Sequence, residues 1–304
     1  MKVAYGFPYH DAPALSDFLV GENLAGLAAL VEESGFAAAW LTEHPAPAQA
    51  WRESGGHDAL DPFVGLAVVA AATSTLRLLT YLTVVPYRNP FLLAKSVATL
   101  DALSAGRVEL GMGAGYMKTE FGALGVDFDV RNTLFDQSLE AMKLAWTGEP
   151  VTFEGLGVSA RRVTSYPPSV QRPHPPLWFG GNSQRTLRRV ATHNAGWMPL
   201  PNSRATARHL RSPALESLDD LAVLLDRLRA LAADVGRTDP IDIMYWLPPA
   251  REPAEMKRHV AMANRARELG VNWVVVNGEG STIAQARTFV RRYREHVLQH
   301  LEGP

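Results

Sequence analysis

Glu43 and His44, adjacent in the stretch LTEHP, are the residues of this chain best suited to moving a proton. A histidine acts as general acid or base near neutral pH, and a neighbouring carboxylate favours its protonated form. Two glycine-rich stretches offer a different chemistry. In VELGMGAGYMK an apolar run leads into Gly113, Ala114, Gly115 and Tyr116. In LWFGGNSQRT, Phe179, Gly180, Gly181, Asn182 and Ser183 lead into a helical pattern. Backbone amides at a helix start, capped by Asn182 or Ser183, attract an anion, and glycines let a phosphate approach. A dinucleotide-binding fingerprint would need a third glycine at position 116, where Tyr116 stands, so the first stretch reads instead as room for a flat ring at a strand end. The plainer readings are a simple turn at Gly180-Gly181 and a crowded interior around Gly111 and Gly113. His10, Asp11, His57, Asp58 and Asp61 are further ligand-type side chains, but their spacing fits no zinc or two-metal pattern, and no metal is expected.

These residues need elements to hold them. Eight short, continuously apolar runs lie at 3–7, 37–43, 76–85, 107–115, 176–181, 196–200, 241–247 and 272–278. Continuous rather than alternating apolar residues suit strands covered on both faces. Amphipathic stretches follow them at 21–35, 61–74, 90–104, 131–147, 183–195, 217–235, 253–268 and 281–299. Asp61-Pro62 reads as a helix start, and Ser34-Gly35 and Gly106 as helix ends. Eight strand–helix alternations predict an α/β fold, a (β/α)8 TIM barrel, as one domain over 1–304; an open doubly wound sheet is the runner-up. The regular alternation breaks at 149–175, which reads as an insertion with a short hairpin between the fourth helix and the fifth strand. In such a barrel the chemistry gathers at the C-terminal strand ends. That rule selects Glu43 and His44, Thr80, Tyr81 and Thr83, residues 113–116 and residues 179–183.

The composition narrows the partners. A formal net charge of -1 gives no basic stripe for nucleic acid and no polybasic patch for a membrane surface. The absence of cysteine rules out disulfides and thiolate chemistry. No apolar run suits a membrane span, and MKVAYGFPYHDAP lacks the apolar core of a signal peptide, so a cytoplasmic protein acting on a small-molecule substrate is expected. Phe7, Tyr9, Trp40, Trp51, Trp178, Trp197 and Trp246 add aromatic surface near strand ends for a planar ligand. Arg204, Arg208 and Arg211 suit either an anionic substrate or a solvated loop.

The stretches FAAAWLTEHP, YRNPFLLAKSVATLDALSAGRVELGMGAGYMKTEFGALGVDF, AMKLAWTGEPVTFEG and PPLWFGGNSQRTLRRVATHNAGWMP resemble the bacterial-luciferase-like flavin and deazaflavin oxidoreductases. The similarity spans essentially the whole chain and is greatest to the branch using coenzyme F420. It implies a TIM barrel, with His44 as proton donor or acceptor beside the reactive ring and Glu43, where the family more often has Asp, orienting it. It implies a strand-three bulge against the ring at Thr80-Tyr81, often a cis peptide, with Thr83 nearby. It also implies ring contacts from Gly113, Ala114, Gly115 and Tyr116, and a phosphate loop at Phe179, Gly180, Gly181, Asn182 and Ser183. The insertion would cover the mouth, and a homodimer is expected. Three readings stay open: hydride transfer between coenzyme F420 and an organic substrate, an FMN-dependent monooxygenase served by a flavin reductase, and a barrel that does no chemistry.

Overall fold

The computed structural model of the chain describes residues 1–9, 17–205, 207 and 212–301. Its elements begin with β1 (Lys2–Gly6), α1 (Gly21–Glu33), β2 (Ala38–Leu41), α2 (Gln49–Glu53), α3 (Pro62–Ala72), β3 (Arg77–Thr80), β4 (Thr83–Val84) and α4 (Pro90–Leu103). They continue with β5 (Val108–Gly113), α5 (Lys118–Ala123), α6 (Arg131–Trp146), β6 (Val151–Gly155), β7 (Val158–Val163), β8 (Leu177–Gly180) and α7 (Gln184–Thr192). The last are β9 (Gly196–Met198), α8 (Leu218–Asp234), β10 (Met244–Trp246), α9 (Pro253–Glu268), β11 (Trp273–Asn277) and α10 (Ile283–Tyr293). Each of the eight apolar runs carries a strand, and a helix follows each. The run 76–85 is divided into β3 and β4 at Tyr81-Leu82, whose peptide bond is cis. Strand pairing is parallel apart from the β6–β7 hairpin and a bridge between Asn202 and Leu215. This is an α/β fold of the (β/α)8 class, and no described helix is long and apolar enough to cross a membrane.

The chain divides into two compact units, one of Met1–Trp40 with Leu177–Pro304 and one of Leu41–Pro176. In the first, β8 pairs with β9, Trp197 of β9 bridges to Ile243, and β10, β11, β1 and β2 follow in lateral order. Tyr5 turns its ring to the helix side, 5.4 Å from Phe36 and 6.3 Å from Phe289. Trp178 and Trp273, 6.0 Å apart, fill the layer on the opposite face. Ser217 and Asp220 form a reciprocal capping box at the start of α8.

In the second unit, β3 and β4 both pair with β5, and Tyr81 N–H donates to the Leu41 carbonyl at the end of β2. The insertion does form a hairpin, β6–β7, whose tip amide at Leu156 reaches Gln137 on α6 at 2.8 Å. Residues 169–171 then wrap the buried Asp101, which accepts from Ser169 Oγ, the amides of Val170 and Gln171, and the Gln171 side chain. Gln171 also donates to Val108 O and accepts from Arg77. Val108 and Arg77 begin β5 and β3, so this part of the insertion lies at the N-terminal ends of those strands rather than over the C-terminal mouth expected from the family.

Asp61 begins α3 as expected. One carboxylate oxygen accepts from Phe63 N and Val64 N, and the other from Arg88 Nη2 at 2.6 Å. Burial alone would push this carboxyl up, but the Arg88 hydrogen bond and charge, with the two amides, outweigh it and hold it below its ordinary value of 3.8. A depressed carboxylate stabilises the fold above its unfolded value and loses that contribution as the pH falls. Asp61→Asn keeps the cap and removes the charge. Its thermal midpoint should lie below wild type at pH 7, and the gap should close as the pH drops through and below 3.8. An equal gap at pH 7 and pH 3 would show that Asp61 acts as a cap alone.

Candidate active site

Glu43 and His44 lie two and three residues beyond the end of β2, and their side chains take different partners. Glu43 turns inward and is 3% exposed. Its oxygens accept from Thr83 Oγ1 at 2.7 Å, Val84 N at 2.6 Å, and Arg88 Nε and Nη2 at 2.9 and 2.7 Å. None of these four bonds comes from His44, so Glu43 does not orient the histidine. That role falls to Glu120 on α5, whose Oε2 lies 3.2 Å from His44 Nδ1. Glu120 is 1% exposed and also accepts from Ala46 N at 3.2 Å and Tyr87 OH at 2.9 Å. Burial, and after it the bond to Glu120, push the Tyr87 phenol well above its ordinary range, so its hydroxyl keeps the proton and donates. An ionised Glu120 in this bond accepts from the tautomer protonated at Nδ1, and Nε2 has no protein partner among the described residues.

Sequence reasoning missed Glu120 and Tyr87. The one available signal was a carboxylate in the stretch MKTEF, which gives no hint of a partner 76 residues away. Aromatic rings surround the imidazole: Trp51 at 4.6 Å, His57 at 5.0 Å and Tyr116 at 6.4 Å between centroids. Tyr116 is half exposed, and burial, then the Glu120 charge, raise its phenol, so it remains an O–H donor at neutral pH. Of the ligand-type residues, Asp58 pairs with Arg52 and Asp61 with Arg88. Among the described residues no three such side chains converge as a metal site. His10 and Asp11 lie outside the described residues.

The strand-three positions shape the site from within. Thr80 Oγ1 donates to Gly111 O at 2.8 Å and Thr83 Oγ1 donates to Glu43, so both hydroxyls are taken up by the protein. The cis peptide is Tyr81-Leu82, one residue beyond the expected Thr80-Tyr81. A Cβ on Gly113 would lie 2.7 Å from Leu82 Cδ1, and one on Gly115 2.7 Å from Val84 Cγ1. The space a side chain would take is thus filled by Leu82 at Gly113 and by Val84 and Phe121 at Gly115. Ala114 follows Gly113 at the end of β5.

The glycine pair at the end of β8 behaves otherwise. Gly181 has φ +110, and a Cβ there would meet only Thr186 Oγ1, at 3.5 Å. Its amide donates to Met198 O and its carbonyl accepts from Trp197 Nε1, which fixes the peptide and leaves the adjoining space open. Ser183 caps α7 by accepting from Thr186 N at 3.2 Å. Asn182 does not cap; it is 1% exposed and ties together Leu200 and Pro213. Phe179 turns to the helix side, 5.9 Å from His193, and Gly180 pairs with Met198. An open, glycine-lined helix start suits a phosphate such as both coenzyme F420 and FMN carry. Arg204 pairs with Glu216; Arg208 and Arg211 lie outside the described residues.

Residues 1–267 match the model of the luciferase-like monooxygenase family. The chain belongs to that family. Like its relatives it is an oxidoreductase. The F420-dependent glucose-6-phosphate dehydrogenase of Kineococcus radiotolerans is 37% identical over 305 residues, spanning 92% of this chain and 87% of that protein. The FMNH(2)-dependent dimethylsulfone monooxygenase of Pseudomonas putida is 28% identical over 219 residues, 71% of this chain and 55% of that protein. Among solved structures, monooxygenase RslO1 from Streptomyces bottropensis has the same fold, with a TM-score of 0.78 at 23% identity over 99% of each chain.

Gly181→Glu places bulk and negative charge in the open space before α7 and forces a side chain into a left-handed backbone. With the fold intact by circular dichroism, the variant should bind coenzyme F420 or FMN at least about tenfold more weakly in a fluorescence titration, a difference of roughly 1.4 kcal/mol. Unchanged binding would put the phosphate elsewhere.

Proposed function

We propose that this protein transfers a hydride between coenzyme F420 and a small organic substrate of the alcohol–carbonyl kind, with His44 carrying the accompanying proton. The observation that supports it most is the His44–Glu120–Tyr87 chain, which prepares one imidazole nitrogen for proton exchange. The 37% identity to an F420-dependent dehydrogenase over most of both chains favours the deazaflavin. The start of α7 with Gly180, Gly181 and Ser183 would hold its phosphate, and the bound cofactor would supply or accept the hydride.

The protein's own part is proton handling. In the oxidising direction His44 Nε2 takes the hydroxyl proton as the alcohol carbon gives up its hydride. In the reducing direction the same nitrogen returns a proton to the carbonyl oxygen. Glu120 keeps the imidazole in the tautomer with Nδ1 protonated and stabilises the imidazolium while it exists. Tyr87 and the Ala46 amide fix Glu120 in turn. The near-neutral chain suits a small-molecule enzyme of the cytoplasm, and a homodimer is part of this reading. The FMN-dependent relative keeps a second reading in view, oxygen chemistry on reduced FMN delivered by a partner reductase.

Side-by-side fluorescence titration of the purified protein with coenzyme F420 and FMN decides between them. Tighter F420 binding is expected; preference for FMN would replace hydride transfer with oxygen chemistry. His44→Ala should lower turnover by about 10²–10⁴-fold with cofactor affinity changed no more than a few-fold. Glu120→Gln should lower kcat nearly as far, because an amide can donate to Nδ1 and reverse the tautomer. A His44→Ala protein that no longer binds cofactor would make His44 a binding residue instead.

A further inference from the structure

A second polar group stands at strand ends of the first unit, on residues given no role above. Gly6, the last residue of β1, pairs laterally with Asn277 of β11 on one side and Trp40 of β2 on the other. Residues level with each other in a parallel sheet share a face. Tyr5, one position earlier, packs against Phe36 and Phe289 on the helix side. Trp40, Gly6 and Asn277 therefore face away from the helices, at the C-terminal strand ends where (β/α)8 proteins bind their ligands. A Cβ on Gly6 would come within 2.1 Å of Trp40 Cζ2, so the indole lies over the glycine. The row presents an aromatic plate and, beside it, one carboxamide.

That carboxamide is not satisfied. Asn277 Oδ1 is buried and has no hydrogen-bond partner among the described residues. A buried acceptor with nothing donating to it weakens the fold, and native chains rarely keep one without a reason. In the same unit Asn182 and Asn272 use their carboxamides fully in ties between loops and strands, whereas the Tyr5 hydroxyl and Asn202 Nδ2 share the condition of Asn277 Oδ1.

We propose that Asn277 is a ligand-recognition residue whose Oδ1 accepts a hydrogen bond from an N–H or O–H on a flat, uncharged part of the bound molecule beside Trp40. The donor belongs either to the cofactor ring or to the organic substrate; the proposal rests on the redox reading for the names of those ligands, not for the role of the acceptor. Leucine has nearly the volume of asparagine and no acceptor. In the ligand-free protein, Asn277→Leu should leave the thermal midpoint unchanged or raise it, since an unpaired buried acceptor is removed. With ligand, one of two losses is expected. If the donor is on the cofactor, the Kd for coenzyme F420 rises about tenfold and the F420-induced rise in midpoint shrinks. If it is on the substrate, the F420 Kd stays put and KM for propan-2-ol or cyclohexanol rises about tenfold. A midpoint several degrees lower without ligand would show Asn277 to be structural and overturn the proposal, as would an unchanged Kd together with an unchanged KM. A wild-type protein that binds neither F420 nor FMN sinks the redox reading alone; the ligand-free comparison still decides whether the acceptor is held in reserve.

Discussion

The geometry around the candidate proton carrier depends on one buried carboxylate. Glu43 is 3% exposed and is tolerable there only because four donors converge on it, two of them from a guanidinium. Such a pair brings little net stability, since desolvation offsets much of the attraction, but removing one partner costs about 3–5 kcal/mol because the other charge is stranded. The consequence here is positional. Thr83, Val84 and Arg88 all attach to Glu43, and Tyr87 lies between them in the chain. With its neighbours on both sides held, Tyr87 presents its hydroxyl to Glu120, and Glu120 holds His44. A residue that never touches the imidazole thus fixes it through three steps of hydrogen bonding and chain connection.

The strands and long helices were legible because their signals are local. The continuous apolar runs placed all eight strands to within a residue or three, and Asp61-Pro62, Gly35 and Gly106 marked helix ends where the backbone needs those residue types. The short α2 and α5 were not legible, since five and six residues carry too little pattern. The active-site pairing failed for a different reason. Adjacency in sequence suggested Glu43 as the partner of His44, yet Glu43 is taken up by Thr83, Val84 and Arg88. The true partner arrives from α5 by way of the fold, and no spacing rule connects positions 44 and 120.

The glycines show how one residue type answers different local needs. Position 113 needs glycine because Leu82 occupies the space a side chain would take. Position 181 needs glycine for its backbone, and there the space stays open. Two glycine-rich strand ends that look alike in sequence therefore differ in kind. One closes the protein on itself, and the other keeps a helix start accessible.

That difference gives a general criterion for sorting positions that a family resemblance lumps together. Thr80, Thr83, Glu43 and Asn182 all fall on positions the resemblance assigns to cofactor or catalysis, yet every polar atom of theirs that could reach a ligand is already bonded to protein. Buried groups in that condition set shape. His44 has Nδ1 committed to Glu120 and Nε2 without a protein partner among the described residues, and Asn277 keeps a buried oxygen with nothing donating to it. For the buried Asn277 oxygen this carries a cost that folding alone does not recover. Residues of the first kind set the shape in which those of the second are presented.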